Sequence, residues 1–148
     1  MIIKKILLPF DGSTLSKKAL ELAKDIARNF NADLTLFTII PIYYPIGGPV
    51  LSSTSAINYQ QIIKTLRQEA AKNVSKVVEK CREQGVKAQY KIVNDDVSNA
   101  IIKEAKRSRV DLIIMGSRRM TGVSSIKRLG STARHVSEHA SCPVTLVH

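Results

Sequence analysis

The sequence predicts an α/β fold, a five-stranded parallel sheet with helices on both faces, and three observations carry that prediction. Apolar runs of strand length alternate with longer stretches of helical periodicity in the order β-α-β-α-β-α-β-α-β, which calls for right-handed crossovers onto one sheet. The first and fourth runs, around Ile6-Leu-Leu8 and Leu112-Ile-Ile-Met115, are apolar at successive positions, as strands covered on both faces are. The fourth run then stops at Gly116, and a basic loop bearing glycine and serine leads through Gly130-Ser131-Thr132 into a helix.

In chain order, Ile2 to Pro9 reads as the first strand. Asp11-Gly12-Ser13 is a turn, with Ser13 or Ser16 the candidate N-cap of a helix over 14–30 whose apolar residues fall at 15, 19, 20, 22, 23, 26, 27 and 30. Asp33 to Ile40 is rich in β-formers and closed by Pro41. A loop of about fourteen residues over 42–55 follows; such length in a compact domain marks a functional or mobile segment, here a candidate flap. A long helix covers 56–84 and ends at Gly85. Val86 to Val93 alternates, as a half-exposed edge strand does, Asn94-Asp95-Asp96 is a turn, and Ser98 to Ser108 is a short helix. The strand over 110–115, the basic loop, a helix over 129–140 and a last strand from Pro143 to His148 complete the order.

Length and composition set the class. With 148 residues, 44% hydrophobic and 24% charged, the chain fits a single domain over 1–148, well away from the disordered class. It has no run of 18 apolar residues and no signal-peptide order at Met1 to Asp11, so a cytoplasmic protein with no membrane association is expected. Cys81 and Cys142 have no zinc or redox spacing and read as semi-buried structural thiols. His135 and His139 have a spacing that can hold a metal, but no Glu follows His135 and no third ligand is evident, so they read as exposed helix histidines.

A formal net charge of +11 points to acidic partners: nucleotide phosphate, nucleic acid or anionic membrane. Most of the helix cations are interleaved with Glu21, Asp25, Glu69, Glu79 and Glu83, and read as solvated faces. With 5% aromatic residues, no tryptophan and no recognised motif, nucleic-acid binding rests on charge alone.

The local chemistry concentrates between 110 and 132. From Leu112 to Ser137 there is no Asp or Glu, while Arg118, Arg119, Lys127, Arg128 and Arg134 all fall inside. N–H groups at a helix start lack intrahelical partners and sit at the positive end of the dipole, so an anion is stabilised there. Hydroxyls at Ser117, Ser124, Ser125, Ser131 and Thr132 add donors. The Walker pattern is absent because no Gly-Lys-Ser/Thr follows, and the dinucleotide fingerprint is absent because the first turn reads Pro9-Phe10-Asp11-Gly12-Ser13. If strands one and four are neighbours where the strand order reverses, Asp11 and Gly116 face one crevice. A carboxylate for ribose or amino groups then opposes a basic loop for phosphate.

The motifs Lys5-Ile-Leu-Leu-Pro-Phe-Asp-Gly-Ser13, Ala32-Asp-Leu-Thr-Leu-Phe-Thr-Ile39, Asp111-Leu-Ile-Ile-Met-Gly-Ser117, Leu129-Gly-Ser131 and Cys142-Pro-Val-Thr-Leu-Val147 together resemble the universal stress protein family over essentially the whole chain. The resemblance implies a Rossmann-like, adenine nucleotide alpha hydrolase-like sheet of strand order 3-2-1-4-5, and the family's ATP-binding branch. It implies ATP, or AMP or ADP, with adenine near Pro9, Asp11 and Ile39, and the following Gly12 and Ser13 beside it. Phosphate is implied near Met115, Gly116, Ser117, Arg118, Arg119, Gly130, Ser131 and Thr132. Mg or Mn is expected only through the phosphates, with no site made by protein alone. In the family's Gly-x-x-Gly, nine residues, Gly-Ser/Thr loop, Gly116, Gly130 and Ser131 match; position 119 is Arg in place of the second glycine, and ten residues separate it from Gly130.

Three functions follow as alternatives. The first is a regulatory stress-response module that binds adenine nucleotide, with an unidentified protein partner and at most slow ATP hydrolysis, since no catalytic base or activated nucleophile stands in a recognised motif. In the second, Arg119 crowds the loop and the chain is a nucleotide-free module of the same fold, a homodimer through the terminal strand 143–148. The third is nucleic-acid binding through the basic surface.

Overall fold

The computed structural model describes residues 2–42, 53–121 and 127–148. The main sheet is built from β1 (Lys5–Pro9), β2 (Asp33–Pro41), β3 (Lys87–Asp95), β4 (Leu112–Gly116) and a last strand, β7 (Val144–Val147). Its order is β3-β2-β1-β4-β7, all parallel. Counted as main-sheet strands this is 3-2-1-4-5, with the reversal between β1 and β4. The helices are α1 (Thr14–Phe30), α2 (Ser53–Glu83), α3 (Val97–Ser108) and α4 (Ser131–His139).

Strand alternation divides the core in two. Ile6, Leu8, Leu34, Leu36, Leu112 and Ile114 face α1 and α2, meeting Leu20, Ala23, Val74, Val78 and Cys81. Leu7, Phe37, Ile113 and Met115 face α3 and α4, meeting Ala100, Ile101, Ala133 and Val136. Each fully buried side chain of this size contributes about 1.5–3 kcal/mol of transfer free energy, so the two layers are the main source of stability.

Several boundaries differ from the sequence reading, each for a local reason. The first strand begins at Lys5; Asp111 Oδ2 accepts the Lys4 and Lys5 N–H groups at 2.9 Å each and so marks where β1 and β4 start to run together. Asn94 and Asp95 belong to β3 and do not form a turn, because pairing with β2 continues to Pro41↔Asp95 and Asn94 Nδ2 donates to the Ile40 carbonyl. Asp96 instead caps α3, accepting from Asn99 N–H. The fourth strand runs from Leu112 to Gly116, α4 begins at Ser131, and the last strand covers Val144–Val147. Ser13, rather than Ser16, is the N-cap of α1, accepting from Ser16 N–H. The sequence reading also missed a short antiparallel ribbon, β5 (Arg119–Thr121) with β6 (Lys127–Leu129). The proposed flap over 42–55 falls largely outside the described residues.

One buried charge fastens α3 to β3. Glu104 lies at 8% side-chain exposure and accepts from Lys91 Nζ at 2.6 Å, Ser108 Oγ at 2.6 Å and the Arg107 guanidinium at 2.8 Å. Burial disfavours its charge, but bonds from Arg107, Lys91 and Ser108 outweigh this and lower its pKa from 4.5 to about 2. A carboxylate depressed in the folded state stabilises the fold above its unfolded pKa, and that contribution is lost as pH falls from about 4.5 through about 2. At about 1.4 kcal/mol per pKa unit the contribution is on the order of 3 kcal/mol. Urea unfolding from pH 7 to pH 2 is expected to show Glu104→Gln less stable at neutral pH, with a shallower acid limb than the wild type; parallel limbs would contradict this account.

Candidate functional site

The strand order reverses between β1 and β4, and the carboxyl ends of these two strands are the position at which open parallel sheets hold ligands, the candidate crevice. Register Leu7↔Ile113, continued by two residues, sets Pro9 beside Met115. Past Pro9 the backbone is clipped to β2 on both sides, Phe10 N–H donating to the Phe37 carbonyl at 2.9 Å and Thr38 Oγ1 to the Phe10 carbonyl at 2.8 Å. This delivers Asp11, Gly12 and Ser13 to the crevice rim as one turn. Gly12 has φ +78°, a conformation that L side chains rarely adopt, so backbone geometry alone accounts for this glycine. Asp11 Oδ1 accepts Ser13 N–H at 2.9 Å. Desolvation disfavours the Asp11 carboxylate, but the Ser13 hydroxyl and amide and the Ser16 hydroxyl hold its pKa below the ordinary value, so it stands in this turn as an anion and acceptor.

Gly116, assigned to the phosphate loop from sequence, has a packing role that sequence did not reveal. A Cβ there would lie 2.8 Å from both the backbone carbon and the Cβ of Leu15, so the first turn of α1 rests directly on β4. Gly130 is the opposite case. Its φ is −59°, and an added Cβ would meet only the Arg118 carbonyl, at 3.8 Å. Neither backbone conformation nor packing within the described chain requires a glycine at 130.

Gly130 is also the N-cap of α4, which therefore begins without a side-chain cap. Its own N–H donates to the Arg118 carbonyl at 3.2 Å, and its carbonyl accepts from Arg134. Ser131, Thr132 and Ala133 N–H lie before the first intrahelical bond of α4, and no described residue accepts from them. Ser117 adds a second unsatisfied group: it is 3% exposed, and its Oγ has no hydrogen-bond partner among the described residues. Strand alternation, with Gly116 turned to α1, puts Ser117 on the α3/α4 face, on the side of the uncapped helix start. Arg118 is exposed beside it, and Arg119 enters by its backbone, paired with Leu129.

On the same face, half-buried Ile39 and buried Met115 pack in one apolar cluster with Val93, Val97 and Ala133. The sequence reading named Ile39 and Met115 and missed the other three. Val93 and Ala133 lie at a strand end and a helix start, where the order 3-2-1-4-5 already converges; Val97 had no signal beyond its apolar type. A polar groove of about 670 Å³ lies at the opposite end of the sheet, lined by Lys5, Asp33, Gln89, Lys91 and Arg109 among others; its Lys91 is committed to Glu104. His135 and His139 stack with ring centroids 4.3 Å apart. No group of three His, Cys, Asp or Glu side chains suited to one metal ion occurs among the described residues. Among them, no helix is long and apolar enough to cross a membrane.

Comparison with known proteins places these features in context. The universal stress protein family matches residues 3–148. A universal stress protein of Methanocaldococcus jannaschii is 35% identical over 146 residues, covering 99% of this chain and 82% of the relative. The solved universal stress protein of Lactobacillus plantarum superposes with a TM-score of 0.82 at 20% identity, covering 100% of this chain and 99% of that one. An Archaeoglobus fulgidus universal stress protein solved in complex with dAMP has a TM-score of 0.63 at 20% identity, covering 100% of both chains. One from Arabidopsis thaliana solved with AMP has a TM-score of 0.67 at 20% identity, covering 97% and 90%. At these identities the solved structures establish the shared fold.

An unpaired buried hydroxyl costs about 1–3 kcal/mol. Ser117→Ala is therefore expected to leave the free protein as stable as the wild type or more so, read from urea midpoints. A clear loss of stability would mean that the hydroxyl already has a partner.

Proposed function

The chain belongs to the universal stress protein family, and from that premise we propose that it binds an adenine nucleotide, ATP or AMP, in the β1/β4 crevice and acts as a regulatory stress-response module. The observation that carries this reading is the uncapped start of α4 beside the unpartnered, buried Ser117 hydroxyl. Two kinds of polar group left unsatisfied at one place suit a phosphate, which accepts from all of them. In this reading Ser131, Thr132 and Ala133 N–H, the Ser117 hydroxyl and the Arg118 guanidinium hold phosphate. Ile39, Met115, Val93 and Val97 give adenine an apolar wall, and Asp11 accepts from ribose hydroxyls. Relatives of the same fold solved with AMP and dAMP support the ligand class.

A divalent ion, Mg or Mn, is assigned to the nucleotide phosphates, with Asp11 the nearest carboxylate to assist. Among the described residues at these strand ends, His148 contacts only the Ser117 carbonyl and no nucleophile stands beside a base, so hydrolysis, where it occurs, is slow. A cytoplasmic location suits two cysteines that are both free. The edge position of β7 supports a homodimer through that strand. Ile113 N–H donates to the Pro143 carbonyl and Ser117 N–H to the Val147 carbonyl, so the alternating Val144 and Leu146 turn their backbone groups to the open edge, where a second copy can pair.

Gly130→Asp separates function from folding. Its φ of −59° and ψ of 151° suit an Asp N-cap, which stabilises a helix over a Gly N-cap by a few tenths of a kcal/mol while placing a negative charge on the anion site. The variant is expected to unfold at higher urea than the wild type and, in calorimetric titration with ATP and magnesium, to bind at least about tenfold more weakly. Wild-type protein that takes up no ATP or AMP rejects the nucleotide reading and leaves the nucleotide-free module. Sedimentation of the wild type is expected to give twice the chain mass, and a monomer would remove the β7 pairing.

A further inference from the structure

Ser117 is held on both sides by residues of the last strand and its continuation. Its N–H donates to the Val147 carbonyl at 2.8 Å, and its own carbonyl lies 3.0 Å from His148 Nδ1. A carbonyl only accepts, so Nδ1 carries the proton in this contact. The two peptide units flanking Ser117 are thereby fixed, and with them the direction of the Cα–Cβ bond that carries its buried hydroxyl. One residue on, the Arg118 carbonyl takes the Gly130 N–H at 3.2 Å. A short run of bonds thus leads from His148 through the exit of β4 to the first residue of the α4 cap.

We propose that His148 is a positioning residue for the anion site, holding the Ser117–Arg118 peptide so that the Ser117 hydroxyl and the α4 start address one phosphate. This rests on the nucleotide reading of the site. His148 is itself exposed, so replacing it removes little packing and isolates the hydrogen bond. An asparagine at 148 can return a donor near the Nδ1 position, whereas alanine cannot.

The test compares wild type, His148→Ala and His148→Asn by calorimetric titration with ATP and magnesium, and by amide hydrogen exchange of the nucleotide-free proteins. One hydrogen bond of ordinary strength corresponds to a change of about fivefold. His148→Ala is expected to bind about fivefold more weakly and to exchange the Ser117 amide, which donates to the Val147 carbonyl, faster by a similar factor, while His148→Asn recovers both. Equal affinity and exchange in all three proteins would overturn the proposal. So would an alanine variant that loses affinity with no change in exchange at Ser117, or an asparagine variant that fails to recover either. If the wild type takes up no ATP, the nucleotide reading falls by itself, and exchange still decides whether His148 holds the loop: acceleration in the alanine variant alone supports it, and unchanged exchange overturns it.

Discussion

The approach of Leu15 to Gly116 is the contact on which the crevice depends. Backbone carbon and Cβ of Leu15 would stand 2.8 Å from any Cβ at 116, so α1 reaches β4 only because that position carries hydrogen alone. The same first turn of α1 begins with the Ser13 cap and follows the Asp11 turn. Seating it on the end of β4 therefore brings the acidic turn and the basic loop to one rim. A glycine that reads from sequence as a ligand contact is, in the fold, the element that sets the distance between the two halves of the site.

The molecule treats polar groups differently at its two ends. Glu104, near the amino ends of the strands, is buried but receives bonds from three side chains, so its desolvation is offset. At the carboxyl ends the balance is reversed. A side-chain cap worth a few tenths of a kcal/mol over glycine is missing from α4, and a hydroxyl that costs about 1–3 kcal/mol unpaired is buried beside it. Stability of that size is readily supplied by the two apolar layers, and its local absence has a definite chemical form: several donors with no acceptor among the described residues. Proteins place such conflicts between folding and local satisfaction at sites that bind.

The fold was legible because its signals are long and redundant. β1 and β4 announce themselves by successive apolar residues, and α1 by its spacing and Ser13. The strand order followed from resemblance and topology rules, not from composition. The remainder was illegible for identifiable reasons. The ribbon of β5 and β6 spans segments such as Arg119-Met120-Thr121, too short and too polar to show a period of two. Glu104 looks in sequence like any solvated acid between lysines, since its burial depends on β3 lying across from α3. The orphan state of Ser117 and the contact of His148 with it are long-range facts, and no local pattern encodes them.

The ribbon also bears on Arg119, which stands where the resemblance leads one to expect glycine. Glycine is indispensable only where φ is positive or where another group comes too close for a Cβ. Arg119 meets the first condition differently: its backbone is a strand residue paired with Leu129, an extended conformation open to any L residue. Pairing of 119 with 129, 120 with 128 and 121 with 127 joins these two arms to each other, closed at the base by Gly130 N–H on the Arg118 carbonyl. What remains for an anion is the stretch from Gly116 to Arg118 and the start of α4 from Ser131, the same two segments that carry the unsatisfied groups. On the nucleotide reading, Arg119 is therefore compatible with an anion at the start of α4, since its strand backbone needs no glycine.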